Sequence, residues 1–309
     1  IPRTPILHVP MDHTTGYTKA TMNSGKVRNR GIELQLDGTP VKTKNFTWNS
    51  TFTWAKNYNK VLSLAAGLTD GQTIAYTGGT NCALIAKVGG SIGDIYGYKL
   101  KRAPDGQVVW KDGITAGTTE FGYVGNAYPA WKAGFSNEFS YKNFRVSILF
   151  DGQWGGIVYS QTHHKMTEHG TLKHTLKYRE NPNFEVVGEG VMLDERGQYV
   201  PNNVPISVSK YYADYWRRAN VETNSFDASF LKLREARIEY TIPSAGLNKI
   251  GIERLTLALY GRNLAMWTKD FPVYDPEVAT LNNGTIVPGS EMGQLPSTRT
   301  MGFNLTLKF

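Results

Sequence analysis

Hydrophobic and polar residues alternate along much of the chain, most clearly at its end. Met301, Phe303, Leu305, Leu307 and Phe309 alternate with Gly302, Asn304, Thr306 and Lys308. A period of two predicts a β-strand with one apolar and one polar face. The same period predicts a strand over 26–37, where Ile32, Leu34 and Leu36 oppose Glu33, Gln35 and Asp37. It predicts another over 45–58, where Phe46, Trp48, Phe52 and Trp54 oppose Thr47, Asn49, Thr51 and Thr53. Further strands follow over 131–141, 144–153, 230–242, 253–267 and 297–309. Gly38-Thr39-Pro40 reads as a break, Lys142-Asn143 as a tight hairpin turn and residues 1–24 as a loop.

The connections between these strands alternate in length. Those after the first, third and fifth strands are short or moderate. Those over about 61–129, 154–227 and 269–296 are long and rich in Gly, Thr and Asp. Short ribbons are expected at 95–100 and 107–110, and a short helix over 208–219. Long loops at one end and short turns at the other are the arrangement of an outer-membrane β-barrel, and a soluble β-sandwich has no reason to follow it. Trp48, Trp54, Trp131, Tyr141, Phe144, Tyr240, Trp267 and Phe309 gather near strand ends, as aromatic girdles do. Arg145, Arg237, Glu239 and Lys308 fall on the polar side, where a lumen tolerates charge; facing lipid at mid-membrane, an Arg or Lys costs about 2–4 kcal/mol. Leu34, Phe135, Ile148, Leu257 and Leu305 are therefore expected to face lipid, and Glu33, Glu138, Arg145 and Thr306 the lumen.

Seven strands leave two bare edges, which hydrocarbon does not permit. The fold class is thus all-β, an antiparallel transmembrane β-barrel whose other strands lie outside this chain. The first residues, Ile1-Pro2-Arg3, include neither an initiator Met nor a signal peptide, and the chain reads as a piece of a longer one. Residues 1–309 are expected to be one stretch, the C-terminal part of the barrel domain.

Composition adds limits. Only 19% of residues are charged and 12% are aromatic. No run of about eighteen apolar residues offers a transmembrane helix, which leaves a barrel untouched. Cys82 is the single cysteine and cannot form an internal disulfide. The net charge of +8 fits attraction to lipopolysaccharide or an acidic partner surface; no basic helix or nucleic-acid motif accompanies it, and no nucleic-acid partner is expected.

The sequence resembles the C-terminal part of SusC-like (RagA-like) TonB-dependent outer-membrane transporters of the Bacteroidetes. The resemblance rests on Asn29-Arg30-Gly31-Ile32-Glu33-Leu34, Gly125-Asn126-Ala127-Tyr128-Pro129, Phe230-Leu231-Lys232-Leu233-Arg234, Tyr260-Gly261-Arg262-Asn263-Leu264, Tyr274-Asp275-Pro276-Glu277-Val278 and the terminal Phe309. Tyr128 departs from the family, which more often has a small polar residue there. The resemblance implies a 22-stranded barrel in the bacterial outer membrane, filled by an N-terminal plug, with this chain supplying about the last seven strands. It also implies import of oligosaccharides or peptides driven through TonB, which contacts the absent N-terminal part. A SusD-like surface lipoprotein would serve as the lid. The terminal aromatic Phe309 would be read as an assembly signal by the barrel assembly machinery.

Candidate chemistry in the residues themselves is sparse. Trp154, Tyr159, Tyr211, Tyr212, Tyr215 and Trp216 lie in or beside a long loop and are the candidate cargo-binding residues, since flat aromatic faces stack on sugars or peptide side chains. The alternative is that they pack the loops together. His163, His164, His169 and His174 lack the tight spacing of a zinc site and read as loop residues. Ser160, His163 and Asp194 share a loop without a nucleophile-elbow pattern, so no catalytic trio, enzyme activity, metal or cofactor is expected. An outer-membrane hydrolase using the histidine loop and a soluble β-rich binding or adhesion module are the alternative functions. Asp275-Pro276-Glu277 reads as a loop-folding element, supplying too few ligands for calcium.

Overall fold

The computed structural model describes residues 2–3, 6–10, 14, 16, 19–23, 25–64, 71–77, 79–117, 120–243, 247, 250–277, 280–282 and 285–309. Seven long strands form its frame: β1 (Gly25–Lys42), β2 (Phe46–Leu64), β3 (Trp131–Tyr141), β4 (Phe144–Trp154), β5 (Phe230–Ile242), β6 (Arg254–Thr268) and β7 (Thr300–Lys308). Each pairs antiparallel with the next, in the order of the chain. At one edge Pro2–Arg3 pairs with Val27 and Arg28; at the other, β7 pairs with β6 alone among the described residues.

Residues paired across a sheet share a face, so the register carries each strand's alternation from edge to edge. One row runs Trp48, Phe139, Val146, Ile238, Leu259, Phe303. The adjacent row on the other face runs Asn49, Glu138, Ser147, Arg237, Tyr260, Gly302. The first face is apolar and open: Leu259 is 67% and Phe303 79% exposed. The second carries most of the charges, knitted by pairs such as Arg145 with Glu138 and Glu239, both at 3.7 Å, and Arg262 with Glu235 at 2.9 Å. The segregation expected from the sequence holds: Leu34, Phe135, Ile148, Leu257 and Leu305 share the apolar face, while Glu33, Glu138, Arg145 and Thr306 share the polar one.

Asn137 is a polar residue on the apolar face. It is buried there beneath Trp48, whose indole N–H donates to its Oδ1 at 2.9 Å while the ring stacks on Phe139. The tryptophan thus satisfies and covers the amide together.

Several local expectations change. Gly38-Thr39-Pro40 does not end β1; the strand continues to Lys42, and the register slips between Gly38 and Val41. A proline fits that slip because it has no N–H to give to the ladder. The N-terminal stretch is not all loop: Ile6–Pro10 and Lys19–Asn23 pair as a hairpin. The helix expected over 208–219 is shorter, and a second, unexpected one spans Gln161–Glu168.

The long connections at one end of the sheet fold into small sheets. Gln72–Thr77, Cys82–Ala86, Asp94–Tyr98 and Phe121–Asn126 make a four-stranded one. Ile157–Ser160 lies between Ser225–Asp227 and Ser290–Glu291, joining the second long loop to the third. A core of Cys82, Leu84, Ile95, Tyr159, Val221 and Val287 draws on all three.

Candidate ligand-facing loops

Two helices organise the second long loop. α1 (Gln161–Glu168) begins at Ser160, whose Oγ accepts from the His163 N–H at 2.9 Å. α2 (Val208–Tyr215) begins at Ser207, whose Oγ accepts from the Lys210 N–H. Side-chain oxygens at these positions satisfy amides that the first turn leaves free.

On α2, residues four apart lie one above the other. Tyr211 therefore stacks on Tyr215 with centroids 5.9 Å apart, and Tyr212 on Trp216 at 5.4 Å. Trp110 lies against Tyr211 and Tyr215, each at 6.0 Å. The backbone at Gly188 crosses the indole so closely that a Cβ there would sit 2.3 Å from it. Tyr211 and Tyr212 are buried, Tyr215 and Trp216 half-buried, and burial pushes the Tyr211 phenol up.

The six aromatic residues singled out from the sequence therefore do not converge on one ligand surface. Tyr159 is fully buried in the shared loop core and has no face to offer. Tyr211, Tyr212, Tyr215 and Trp216 pack one another, Trp110 and Tyr178. Trp154 lies on the apolar face of the sheet, stacked on Trp131 at 6.4 Å. Together with Trp267, Phe135 and Leu231 these two tryptophans line an apolar groove of about 460 Å³. Aromatic residues in a polar loop signal a folded loop as readily as a binding site, and the sequence does not separate the two. Phe309 follows β7 at the short-turn end, where the Glu253 N–H donates to the Lys308 carbonyl, and is 77% exposed.

Three of the four loop histidines are structural, while His169 is exposed at the end of α1. His163 Nδ1 donates to Asn224 Oδ1 at 2.9 Å, and His164 Nδ1 to the Trp216 carbonyl at 2.8 Å. His174 lies over His163, with ring centroids 5.2 Å apart. Burial pulls all three imidazoles down, His163 to about 4. Among the described residues no group of His, Cys, Asp and Glu is arranged to hold a metal ion. Ser160, His163 and Asp194 do not assemble either: Asp194 accepts from the Arg196 and Gln198 amides of its own turn. Ser160 instead donates to Glu291 at 2.5 Å. Glu291 is fully buried and also accepts from Thr162 Oγ1 at 2.5 Å and Tyr274 Oη at 2.6 Å. No local pattern marks Glu291 in the sequence, because two of its donors, Ser160 and Thr162, come from a segment more than a hundred residues away.

Two of the stretches that carry the family resemblance, Phe230–Arg234 and Tyr274–Glu277, meet in space. Lys232 reaches from the polar face of β5 to Asp275 and Glu277 in the third long loop, with Nζ–O distances of 2.7 and 2.5 Å. Arg234 sits at a slip in the β5–β6 register and pairs with Asp151 and Glu277, both at 2.6 Å. Tyr260-Gly261-Arg262-Asn263-Leu264 holds the matching irregularity in β6. Asn263 is left-handed there (φ 51°) and donates to the Thr298 carbonyl, while Leu264 covers Gly261. Asn is among the few residues that tolerate that conformation. In Gly125-Asn126-Ala127-Tyr128-Pro129, Asn126 donates to Asp94 and accepts from the Tyr128 N–H, both at 2.7 Å.

No family model matches the chain. TonB-dependent receptor P26 of Formosa agariphila is 29% identical to it, over 98% of this chain and 31% of the receptor. TonB-dependent receptor P3 of the same organism is 24% identical over 97% of this chain and 30% of its own length. The chain resembles TonB-dependent receptors. SusC of Bacteroides thetaiotaomicron, also named a TonB-dependent receptor, is 28% identical over 47% of the chain. Among solved structures, the RagAB peptide transporter superposes with a TM-score of 0.66 at 19% identity, covering 97% of this chain and 31% of that one. The RagAB peptide importer in its open-open state gives 0.66 at 21% identity, covering 98% and 31%. The chain thus spans about a third of the length of these relatives, and its fold is that of a segment of β-barrel wall with the attached loops.

Proposed function

We propose that this chain is the C-terminal wall and loop assembly of a TonB-dependent importer in the bacterial outer membrane. The observation that carries the reading is the seven-stranded sheet itself. Its apolar rows lie open on one face, most of its charges lie on the other, and all three long loops leave from one end. In hydrocarbon such a sheet must close, since each unpaired backbone group costs several kcal/mol. Strands from outside residues 1–309 would meet β7 and the β1 edge and complete a 22-stranded wall around a plug.

The apolar face then meets membrane lipid and lipopolysaccharide, and the polar face meets plug and cargo. TonB supplies the energy through the N-terminal part. The long loops point outward, and a SusD-like lipoprotein covers them as a lid, with oligosaccharide or peptide as cargo. The names of the relatives support receptor and transport roles rather than an enzymatic one. Phe309, exposed at the short-turn end, would serve as the assembly signal. Of the six aromatic residues proposed for cargo, Tyr215 and Trp216 keep partial exposure in the loops and remain the candidates for contact, since the exposed Trp154 lies on the apolar face.

The test is energised uptake by cells carrying the full-length protein. Uptake of a labelled oligosaccharide or peptide that disappears on loss of TonB supports the reading. Uptake indifferent to TonB contradicts it.

A further inference from the structure

Asn183 and Phe184 both have left-handed backbones, with φ of 60° and 52°. A bulky aromatic residue adopts that conformation only where its surroundings impose it, and such strain gathers at functional sites. Here it holds an apolar ring in water, since Phe184 is 67% exposed. The ring stands at the edge of a cleft of about 420 Å³ beside α2, lined also by Tyr212, Thr175, Ser207, Ser209 and Arg179.

Arg179 is a cation held by neutral groups. Its Nε donates to the Thr175 carbonyl at 3.2 Å, and its Nη2 donates to the Gly170 carbonyl and to Thr175 Oγ1. Among the described residues no carboxylate pairs with it. Glu168, which also lines the cleft, is engaged by Lys165 at 2.6 Å. Lys173 and Lys177 lie on the same segment, as do Glu180 and Glu185. The cleft therefore combines an exposed aromatic face, a fixed guanidinium without a counter-ion, and flanking hydroxyls.

We propose that this cleft binds an acidic sugar residue of an oligosaccharide, its ring against Phe184 and its carboxylate on Arg179. With Nε and Nη2 held by Thr175 and Gly170, Nη1 is left to give a carboxylate a charge-assisted hydrogen bond. An aromatic face packs against the apolar face of a sugar ring. Ser207, Ser209 and Thr175 both donate and accept, as a polyol requires. The proposal names a cargo class for the import reading and rests on that reading for its purpose, but its test does not use uptake.

The experiment is calorimetric titration of the full-length detergent-solubilised protein with an oligogalacturonate, its methyl ester and an acidic peptide of similar length. The free acid should bind about tenfold more tightly than the ester, the difference a charge-assisted hydrogen bond supplies. Phe184→Ala should weaken the acid by a similar factor, and Phe184→Tyr should retain it. Phe184→Ala removes only an exposed ring, so it keeps the test valid even if Arg179→Gln, which should abolish the preference for the acid, loosens the segment 170–179. Equal binding of acid and ester, tighter binding of the peptide, or an unchanged Phe184→Ala variant each overturns the proposal. None of these results touches TonB-dependent uptake, which stands or falls separately.

Discussion

Lys232 Nζ lies 2.7 Å from Asp275 Oδ1 and 2.8 Å from Oδ2, and both residues are about 2% exposed. This pair ties a strand of the wall to the third long loop, and Ser297 donates to the same carboxylate at 2.6 Å. Removing one partner leaves the other charge buried and alone, which costs about 3–5 kcal/mol. Lys232→Met should therefore release residues 269–299 while the wall stays assembled, and Lys232→Met with Asp275→Leu should be milder. Hydrogen exchange of the loop in the assembled protein measures this. Burial pushes the Asp275 carboxyl up, but the bonds from Lys232 and Ser297 and the Glu277 amide outweigh it and hold the group below its ordinary 3.8. The contribution is then complete above pH 3.8 and is lost as pH falls through the lower folded value. Equal protection in wild type and Lys232→Met would contradict the clamp.

The buried histidines set a second pH dependence, at higher pH. Burial lowers His163 from 6.5 to about 4 and lowers His164 and His174 as well, so folding favours their neutral forms. Their contribution is complete above about pH 6.5 and falls as pH drops toward 4, by roughly 1.4 kcal/mol per pH unit for each group that titrates. Proteolysis of residues 156–227 should accelerate between pH 6.5 and 4, and His163→Gln should reduce the slope. A rate independent of pH across that range would remove the histidines from the account.

Trp48 satisfies Asn137 on the apolar face. Trp48→Phe keeps an aromatic ring and strands the amide, at a cost of about 1–3 kcal/mol. Adding Asn137→Leu should recover most of that loss. Denaturant unfolding of the barrel in lipid vesicles gives both values; equal stability of Trp48→Phe and the double variant would show that the amide never needed the indole.

Gly302 leaves space for the Tyr260 ring, which would lie 2.6 Å from a Cβ at that position. Gly302→Val should push the ring off β7 and destabilise the β6–β7 pair by about 1–3 kcal/mol, the range for overpacking. Tyr260→Ala in the same protein should relieve it. A Gly302→Val variant that unfolds like wild type would mean the ring has another place to go.

The frame was legible in the sequence because it repeats: a period of two, continued across seven strands, sorts Leu257 and Leu305 to the apolar side and Thr306 to the polar one, while their pairing comes from the register. The loops were not legible, because their contacts lie far apart in sequence. Tyr159 reads as an accessible aromatic until Cys82, Val221 and Val287 close around it. Glu291 reads as one more loop acid until Ser160, Thr162 and Tyr274 converge on it. Phe184 carries no signal in the residue order, since the left-handed backbone that exposes it leaves no mark there. Pro40 misled in the opposite sense, as a strand can absorb a proline where its register slips.

The central claim is that the apolar face meets lipid and the polar face a water-filled lumen, and cysteine scanning along β7 in intact outer membranes tests it most directly. The native Cys82 is buried, with its thiol pushed up to about 12, so it contributes little background. Single cysteines at 301, 303, 305 and 307 should resist a water-soluble thiol reagent and react with a lipid-soluble one, while those at 302, 304 and 306 should do the reverse. Alternation with that phase is the predicted result; uniform labelling by the water-soluble reagent, or alternation of the opposite phase, would contradict the account.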